Sequence, residues 1–268
     1  MEITPRPFGE ILAEGMAMLR RVWKRILAPA FWTFVLLGAA TIAAFALTGA
    51  DDILQLILSD PQALVGMNDT EITEAGLLLV QAGSIVLVFQ LLGTGFLNLA
   101  VHRIVASELA GEQMGAGAAS SKALSRLFTL IVAGILAFVL VVLGLFALII
   151  PGLWLAGAFS MISAVVALED AGPLDALRRS FALVRGRWWP TVGFLLLVGL
   201  FGSLAAQLVQ LVALPIVGAG DVGLGAGLGF VVLVVAQGFV VAAIAVMVTL
   251  WYLDLRSRKE RLVTESLR

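Results

Sequence analysis

The chain alternates long apolar runs with short charged ones, and that alternation sets the predicted architecture. No charged residue occurs in 26–50, 75–102, 127–168, 188–220 or 222–253. A membrane crossing needs roughly 20 apolar residues, because about 30 Å of hydrocarbon is spanned at about 1.5 Å per residue. The 127–168 interval is long enough for two crossings, and Ile150-Pro151-Gly152 stands near its middle. Proline removes a helix donor and glycine tolerates a tight turn, so two helices are expected to join there. The pattern predicts six transmembrane helices, near 27–48, 76–101, 127–149, 153–168, 189–215 and 227–253. They pair into hairpins over 27–101, 127–168 and 189–253, followed by a cytoplasmic tail over 254–268.

Between the spans a helical period persists. Over 7–25, Phe8, Ile11, Leu12, Gly15, Met16, Leu19, Val22, Trp23 and Ile26 fall on one side, opposite Glu10, Glu14, Arg20, Arg21 and Lys24. Over 172–187, Leu174, Leu177, Phe181 and Val184 oppose Asp175, Arg178, Arg179 and Arg185, and Trp188 continues the apolar side. That second segment has a marked start: Gly172 as N-cap, Pro173 at N1, and Asp175 at N3, where the helix dipole favours an acid. Gly186 between two arginines suits its end. Both segments read as interfacial amphipathic helices.

Laid over one another, Leu19-Arg20-Arg21-Val22-Trp23 meets Val184-Arg185-Gly186-Arg187-Trp188, Leu12 meets Leu177, and Met16 meets Phe181. Ser120-Ser121-Lys122-Ala123-Leu124-Ser125-Arg126-Leu127-Phe128 is a weaker copy in the Gly/Ala-rich cytoplasmic connection 103–126. The expected fold is an all-α integral membrane protein. Its six transmembrane helices form three hairpins, each preceded by a cytoplasmic interfacial helix. Chance likeness among short basic amphipathic segments is the alternative to a true repeat.

Composition agrees with the pattern. Of 268 residues, 61% are hydrophobic and 13% charged, against about half and a quarter in soluble domains. Mean hydropathy is +1.07. Residues 1–25 carry charges throughout rather than a short apolar core, so the first span is expected to direct insertion. All 17 Lys and Arg fall within 1–25, 103–126, 178–187 and 256–268. The alternate connections hold only acids: Asp51, Asp52, Asp60, Asp69, Glu71, Glu74 and Asp221. The positive-inside rule then puts both termini in the cytoplasm. With no Cys and one His, thiolate metal sites, iron–sulfur clusters and multi-histidine sites are excluded.

Two groups of residues are candidates for function. At the predicted cytoplasmic face, Glu169, Asp170 and Asp175 lie near Arg178, Arg179, Arg185 and Arg187, while Asp254 and Arg256 close the sixth helix. They form either an ion-pair network or, with the first amphipathic helix, an anionic head-group site. Within the spans, Gln90, Thr94, Asn98, Gln207, Gln210 and Gln237 are uncharged. They form either a polar path or interhelical hydrogen bonds, and the absence of a buried carboxylate or base favours the bonds. His102 beside Arg103 reads as an interfacial residue. Gly152, Ala156, Ser160 and Ala164 form a small-residue ridge suited to close packing. Gly218-Ala219-Gly220-Asp221-Val222-Gly223 has the letters of a nucleotide-binding loop but follows no strand.

Several of these residues also carry a family likeness. Ile150-Pro151-Gly152-Leu153-Trp154, Glu169, Gly172-Pro173-Leu174-Asp175-Ala176-Leu177-Arg178-Arg179-Ser180 and Arg185-Gly186-Arg187-Trp188 resemble one bacterial hallmark. It is that of the membrane domain of some glycerophosphoryl diester phosphodiesterases and of YciC-like proteins. Trp251-Tyr252-Leu253-Asp254-Leu255-Arg256 resembles the closing pattern and Phe8 to Phe31 the opening helix. The resemblance implies a six-helix bacterial inner-membrane protein. It does not carry over phosphodiesterase activity, which in those enzymes belongs to a separate soluble barrel using His and metal-binding acids. The expected function is non-enzymatic: a scaffold or accessory subunit contacting lipid head groups or a partner complex. A small transporter or lipid-translocating protein is the alternative. The expected partners are membrane lipids or a larger membrane complex, not nucleic acid, and no catalytic residue, metal or cofactor is expected.

Overall fold

The computed structural model describes residues 8–59, 66–218 and 224–266. Arg6, Asp60, Asp221, Arg268 and most of the glycine-rich stretch 218–223 lie outside the described residues. The described chain is helical apart from short turns: α1 (Phe8–Thr48), α2 (Ala50–Ser59), α3 (Asp69–Leu109), α4 (Ala116–Ala147), α5 (Ile149–Ala158), α6 (Ile162–Leu168), α7 (Pro173–Val184), α8 (Trp188–Gly218) and α9 (Leu224–Ser266). Among the described residues, six helical segments are long and apolar enough to cross a membrane. They are Gly9–Thr48, Asp69–Leu109, Ala116–Ala147, Ile149–Leu168, Trp188–Val212 and Val235–Glu260. Phe128, Phe138, Phe146 and Leu211 are exposed, a surface that suits hydrocarbon rather than water.

Several predicted boundaries move. The segment 7–25 and the first span form one helix of 41 residues, with Pro29 inside it. At about 1.5 Å per residue such a helix is roughly 60 Å long, twice a crossing. The predicted connection 103–126 is mostly helix, because α3 runs to Leu109 and α4 begins at Ala116. The predicted tail likewise continues α9 to Ser266. Of the three repeat-like segments only α7 is a helix of its own.

The turn between α4 and α5 falls at Leu148, which is extended (φ −165°, ψ 145°), and not at Pro151-Gly152. Pro151 instead sits in the first turn of α5, where a missing N–H breaks no helical bond. Gly152 is buried against α4, where an added Cβ would lie 2.6 Å from the backbone nitrogen of Leu145. The predicted helix 153–168 is broken at residues 159–161 into α5 and α6, so the small-residue ridge does not continue as one line. Ala156 is exposed, whereas Gly144, Gly152 and Gly157 make the close approaches.

The chain divides into two compact units, Trp32–Thr94 and the remainder. In the smaller, Leu37 packs on Gly93, and α3 opens with a reciprocal cap. Asn68 Oδ1 accepts from the backbone N–H groups of Thr70 and Glu71 at 3.0 Å, and the Asn68 N–H donates to Glu71 Oε2 at 2.9 Å. In the larger, α8 packs along α9, α4 along α5 and α6, and α7 against α4 and α6. Every Lys and Arg among the described residues belongs to the larger unit. Phe194 stacks on Trp251 at 4.6 Å, and the Trp251 indole N–H donates to Thr191 Oγ1 at 3.2 Å. Along α7, Ala176, Leu177, Ser180, Leu183 and Val184 are buried, while Leu174, Asp175 and Arg178 are exposed.

Candidate functional site

Glu169 follows α6 directly, and its carboxylate gathers partners from two later helices. Arg179 Nε of α7 donates to both of its oxygens at 2.9 Å. The Tyr252 hydroxyl of α9 donates to Oε1 at 2.5 Å. Arg179 also reaches Glu260 at 3.5 Å, and Arg256 Nε donates to the same Glu260 oxygen at 2.7 Å. One chain of charge and hydroxyl thus ties the end of α6 to α7 and to the end of α9.

Asp170 forms a second knot. Its backbone is left-handed (φ 50°), a conformation that Asp tolerates better than most non-glycine residues. Its carboxylate meets Arg103 of α3 at 2.8 Å and Arg126 of α4 at 3.1 Å, and Arg126 also donates to its carbonyl at 3.1 Å. A third contact joins Arg25 of α1 to Glu108 of α3.

The Arg103 hydrogen bond holds the Asp170 carboxyl below its usual 3.8, against desolvation and with help from the charges of Arg103, Arg126 and Lys122. A carboxyl whose folded pKa is depressed stabilises the fold above its unfolded pKa and stops doing so as pH falls through the folded one. Asp170→Asn keeps the left-handed backbone and removes the charge. The variant should unfold at a lower temperature than the parent at pH 7, by less than about 1 kcal/mol because the carboxylate is largely exposed. The gap should persist down to about pH 4 and close only below it. A gap that closes between pH 7 and pH 5 would assign the effect to another group.

The remaining predicted residues divide. Asp254 is buried and bonded to Arg258 Nε at 2.6 Å, apart from the Glu169 chain. Asp175 and Arg178 are exposed and 4.0 Å apart, a contact of little energetic weight. Arg185 is exposed and Arg187 half-buried, and neither meets a carboxylate among the described residues. Of the polar residues within the spans, Gln90 and Gln207 are exposed, while Asn98 and Gln237 are half-buried. Gln237 Oε1 is buried without a hydrogen bond among the described residues. The Thr94 hydroxyl returns to the Gln90 carbonyl at 2.6 Å.

His102 is not interfacial: it is buried among α3, α6 and α9. The Thr249 hydroxyl donates to the Ala245 carbonyl at 2.7 Å, so its oxygen accepts from His102 Nδ1–H at 2.8 Å. Nε2 is then the acceptor for the Ser163 hydroxyl at 3.2 Å. One neutral imidazole thereby links three helices.

The corner after α7 brings distant segments together. Gly186 is left-handed (φ 88°) and reverses the chain into α8. The Trp188 indole N–H donates to the Trp154 carbonyl at 2.9 Å, and Trp154 packs edge-on against Phe181 at 5.1 Å. An open cavity of about 640 Å³ is lined by Ile150, Leu153, Trp154, Gly186, Trp188, Trp189 and Pro190. The sequence predicts that a membrane separates the 150–152 turn from the Arg185–Trp188 corner, a distance of about 30 Å. The structure puts them side by side, so α4–α6 is the least regular of the predicted crossings. A further cavity of about 350 Å³, lined partly by Ile11, Met18, Arg21, Leu109 and Asp254, joins α1, α3 and α9.

Sequence reasoning did not select Arg103, Arg126, Tyr252, Glu260 or Lys259. Each stands near a span end, Tyr252 lies in the closing pattern and Arg126 in the weak repeat copy, but none of these signals names a partner. Their partners are set by packing between helices far apart in sequence.

Among the described residues, six helices long and apolar enough to cross a bilayer, with every described cation in one compact unit, define a multi-pass helical membrane protein. Residues 26–255 match the model of a family described as a domain of unknown function, DUF7847, and the chain belongs to that family. No curated protein and no solved structure matches it.

Proposed function

We propose that this is a non-enzymatic protein of the bacterial inner membrane, a scaffold or accessory subunit whose cytoplasmic face contacts anionic lipid head groups or a partner complex. Three hairpins with both termini cytoplasmic, the middle one (α4–α6) turning beside the Gly186 corner rather than a full bilayer away, and α7 and the start of α1 as interfacial segments, belong to the same proposal. The observation that carries it is how the charges are used. The acids at the helix ends are consumed: Arg25, Arg103, Arg126 and Arg179 take them in pairs that join different segments, and Arg256 and Arg258 in i,i+4 pairs within α9. Arg20, Arg21, Arg185 and Arg187 remain without a carboxylate partner among the described residues.

On α1 these cations flank exposed Met16 and Trp23, with Lys24 Nζ 5.7 Å from the Trp23 ring. Basic residues beside exposed apolar ones suit the surface of an anionic leaflet, where each cation contributes on the order of 1 kcal/mol. The likeness to phosphodiesterase membrane domains and YciC-like proteins supports the location. Transport is the second reading, and Gln237 Oε1, buried without a partner among the described residues, is the observation that favours it.

Native affinity purification in mild detergent, with identification of bound lipid and protein, tests the proposal. Retained anionic lipid or a stoichiometric membrane partner is expected. A bare protein that moves a solute across proteoliposomes would overturn it.

A further inference from the structure

We infer that the Gly186 corner is a binding site for an anionic glycerophospholipid, with phosphate on Arg185, Arg187 and Lys259 and the glycerol–acyl part in the tryptophan-lined cavity beside it. The inference rests on the lipid-contacting half of the proposed function and gives it a place and a head-group class. Three cations meet at this turn. Arg185 and Arg187 flank Gly186 in sequence, and Lys259 Nζ of α9 donates to the Arg185 carbonyl at 2.9 Å. None of the three meets a carboxylate among the described residues, because Glu260, beside Lys259, already receives Arg179 and Arg256. The left-handed Gly186 presents no side chain, and a Cβ there would find nothing within 4 Å, so the approach to the cations is open.

The adjoining cavity supplies what a free anion would not use. Its volume, about 640 Å³, is that of an ordinary ligand site, and its walls are apolar and aromatic. Trp188 has spent its indole N–H on the Trp154 carbonyl and offers only its ring. Trp189 and Ile150 are 78% and 79% exposed, so these apolar side chains stand uncovered next to a cationic corner. Tryptophan beside arginine at a helix end is the usual arrangement for holding the ester region of a lipid. With cations and no free carboxylate among the described residues, the corner offers an ethanolamine or choline ammonium no partner there. Three positive charges match two phosphates better than one, which points to the diphosphate class, cardiolipin-like, over phosphatidylglycerol.

The test uses the full chain in nanodiscs and native mass spectrometry in mild detergent. Cardiolipin, phosphatidylglycerol and phosphatidylethanolamine are titrated separately, with inorganic phosphate as a competitor. Arg185→Gln/Arg187→Gln/Lys259→Gln is compared with Arg20→Gln/Arg21→Gln/Lys24→Gln, which removes equal charge elsewhere. Arg185→Gln/Arg187→Gln alone guards against loss of the Lys259 contact. Trp189→Ala probes the cavity. The expected result is cardiolipin retention weakened about tenfold or more by the corner variants, and clearly less by Trp189→Ala and by the α1 triple, whose cations contact the leaflet without selecting a head group. Millimolar phosphate should not displace the lipid. Equal weakening by both triples would overturn the site while leaving a lipid-binding face intact. Full displacement by phosphate, or equal retention of phosphatidylethanolamine, would overturn the head-group assignment. No anionic lipid on the parent protein would remove the site and the lipid reading together.

Discussion

Gly152→Val is expected to cost the fold about 3 kcal/mol or more, and to be the most damaging single glycine substitution in α4–α5. At this crossing the two backbones touch. A Cβ built on Gly152 lies 2.4 Å from Leu145 Cγ and 2.6 Å from the Leu145 nitrogen, and one built on Gly144 lies 2.9 Å from the Gly152 Cα. Side chains can rotate away, but helix backbone cannot, so relief requires α4 and α5 to separate. Separation would also pull on the Trp154–Trp188 bond two residues along the same short helix.

Gly15 is the informative contrast. A Cβ there lies 2.1 Å from Met247 Sδ, nominally worse, yet the obstacle is the tip of a flexible side chain that can rotate. Gly15→Ala should therefore change the thermal midpoint in detergent by only a degree or two, whereas Gly152→Val should abolish monodisperse protein. Similar behaviour of the two variants would show that α4 and α5 do not cross at these residues.

The second large effect is expected at Glu169. Glu169→Ala removes the acceptor of the Tyr252 hydroxyl and of Arg179 Nε in one step. Among the described residues it leaves Arg179 with only the 3.5 Å contact to Glu260. Loss of a partly buried charge with two hydrogen-bonding partners should cost about 2 kcal/mol, below the value for a fully buried pair because Arg179 remains one-third exposed. Tyr252→Phe should cost about half as much, since the carboxylate keeps its guanidinium. In a double-mutant cycle, Glu169→Ala and Tyr252→Phe should be clearly non-additive. Additive losses would show that the hydroxyl and carboxylate act separately.

How much of this could be read from the residues depends on the range of the interaction. Local signals served well. Gly172 with Pro173 and Asp175 starts α7 at the predicted place, and Gly186 in the left-handed region follows its end. Charge-free runs locate the six apolar helices, since exclusion of charge from hydrocarbon acts on each segment alone. The prediction misplaced the α4–α5 turn because Pro151 carries two meanings. It can stop a helix, or open one where its missing N–H is harmless, and only the packing of Gly152 on α4 decides between them.

The pairing of charges was harder still. Asp170 is adjacent in sequence to Glu169, yet it serves Arg103 and Arg126 rather than the α7 arginines. That choice follows from which helices lie beside the turn, and no spacing encodes it. His102 misled for a similar reason: next to Arg103 at the end of a charge-free run it resembles an interfacial residue. Two hydroxyls from α6 and α9 make its burial tolerable.

The sidedness of the charges tests the account most directly, and a chain without cysteine suits the measurement. Single cysteines at Arg20, Arg178 and Arg185, and at Asp69 and Glu74, would be exposed to a membrane-impermeant thiol reagent in intact spheroplasts and in inverted vesicles. The account predicts that the three basic positions react only in inverted vesicles and the two acidic positions only in spheroplasts. Labelling of the basic positions from outside, or of both sets from the same side, would contradict a cationic face turned to the cytoplasmic leaflet.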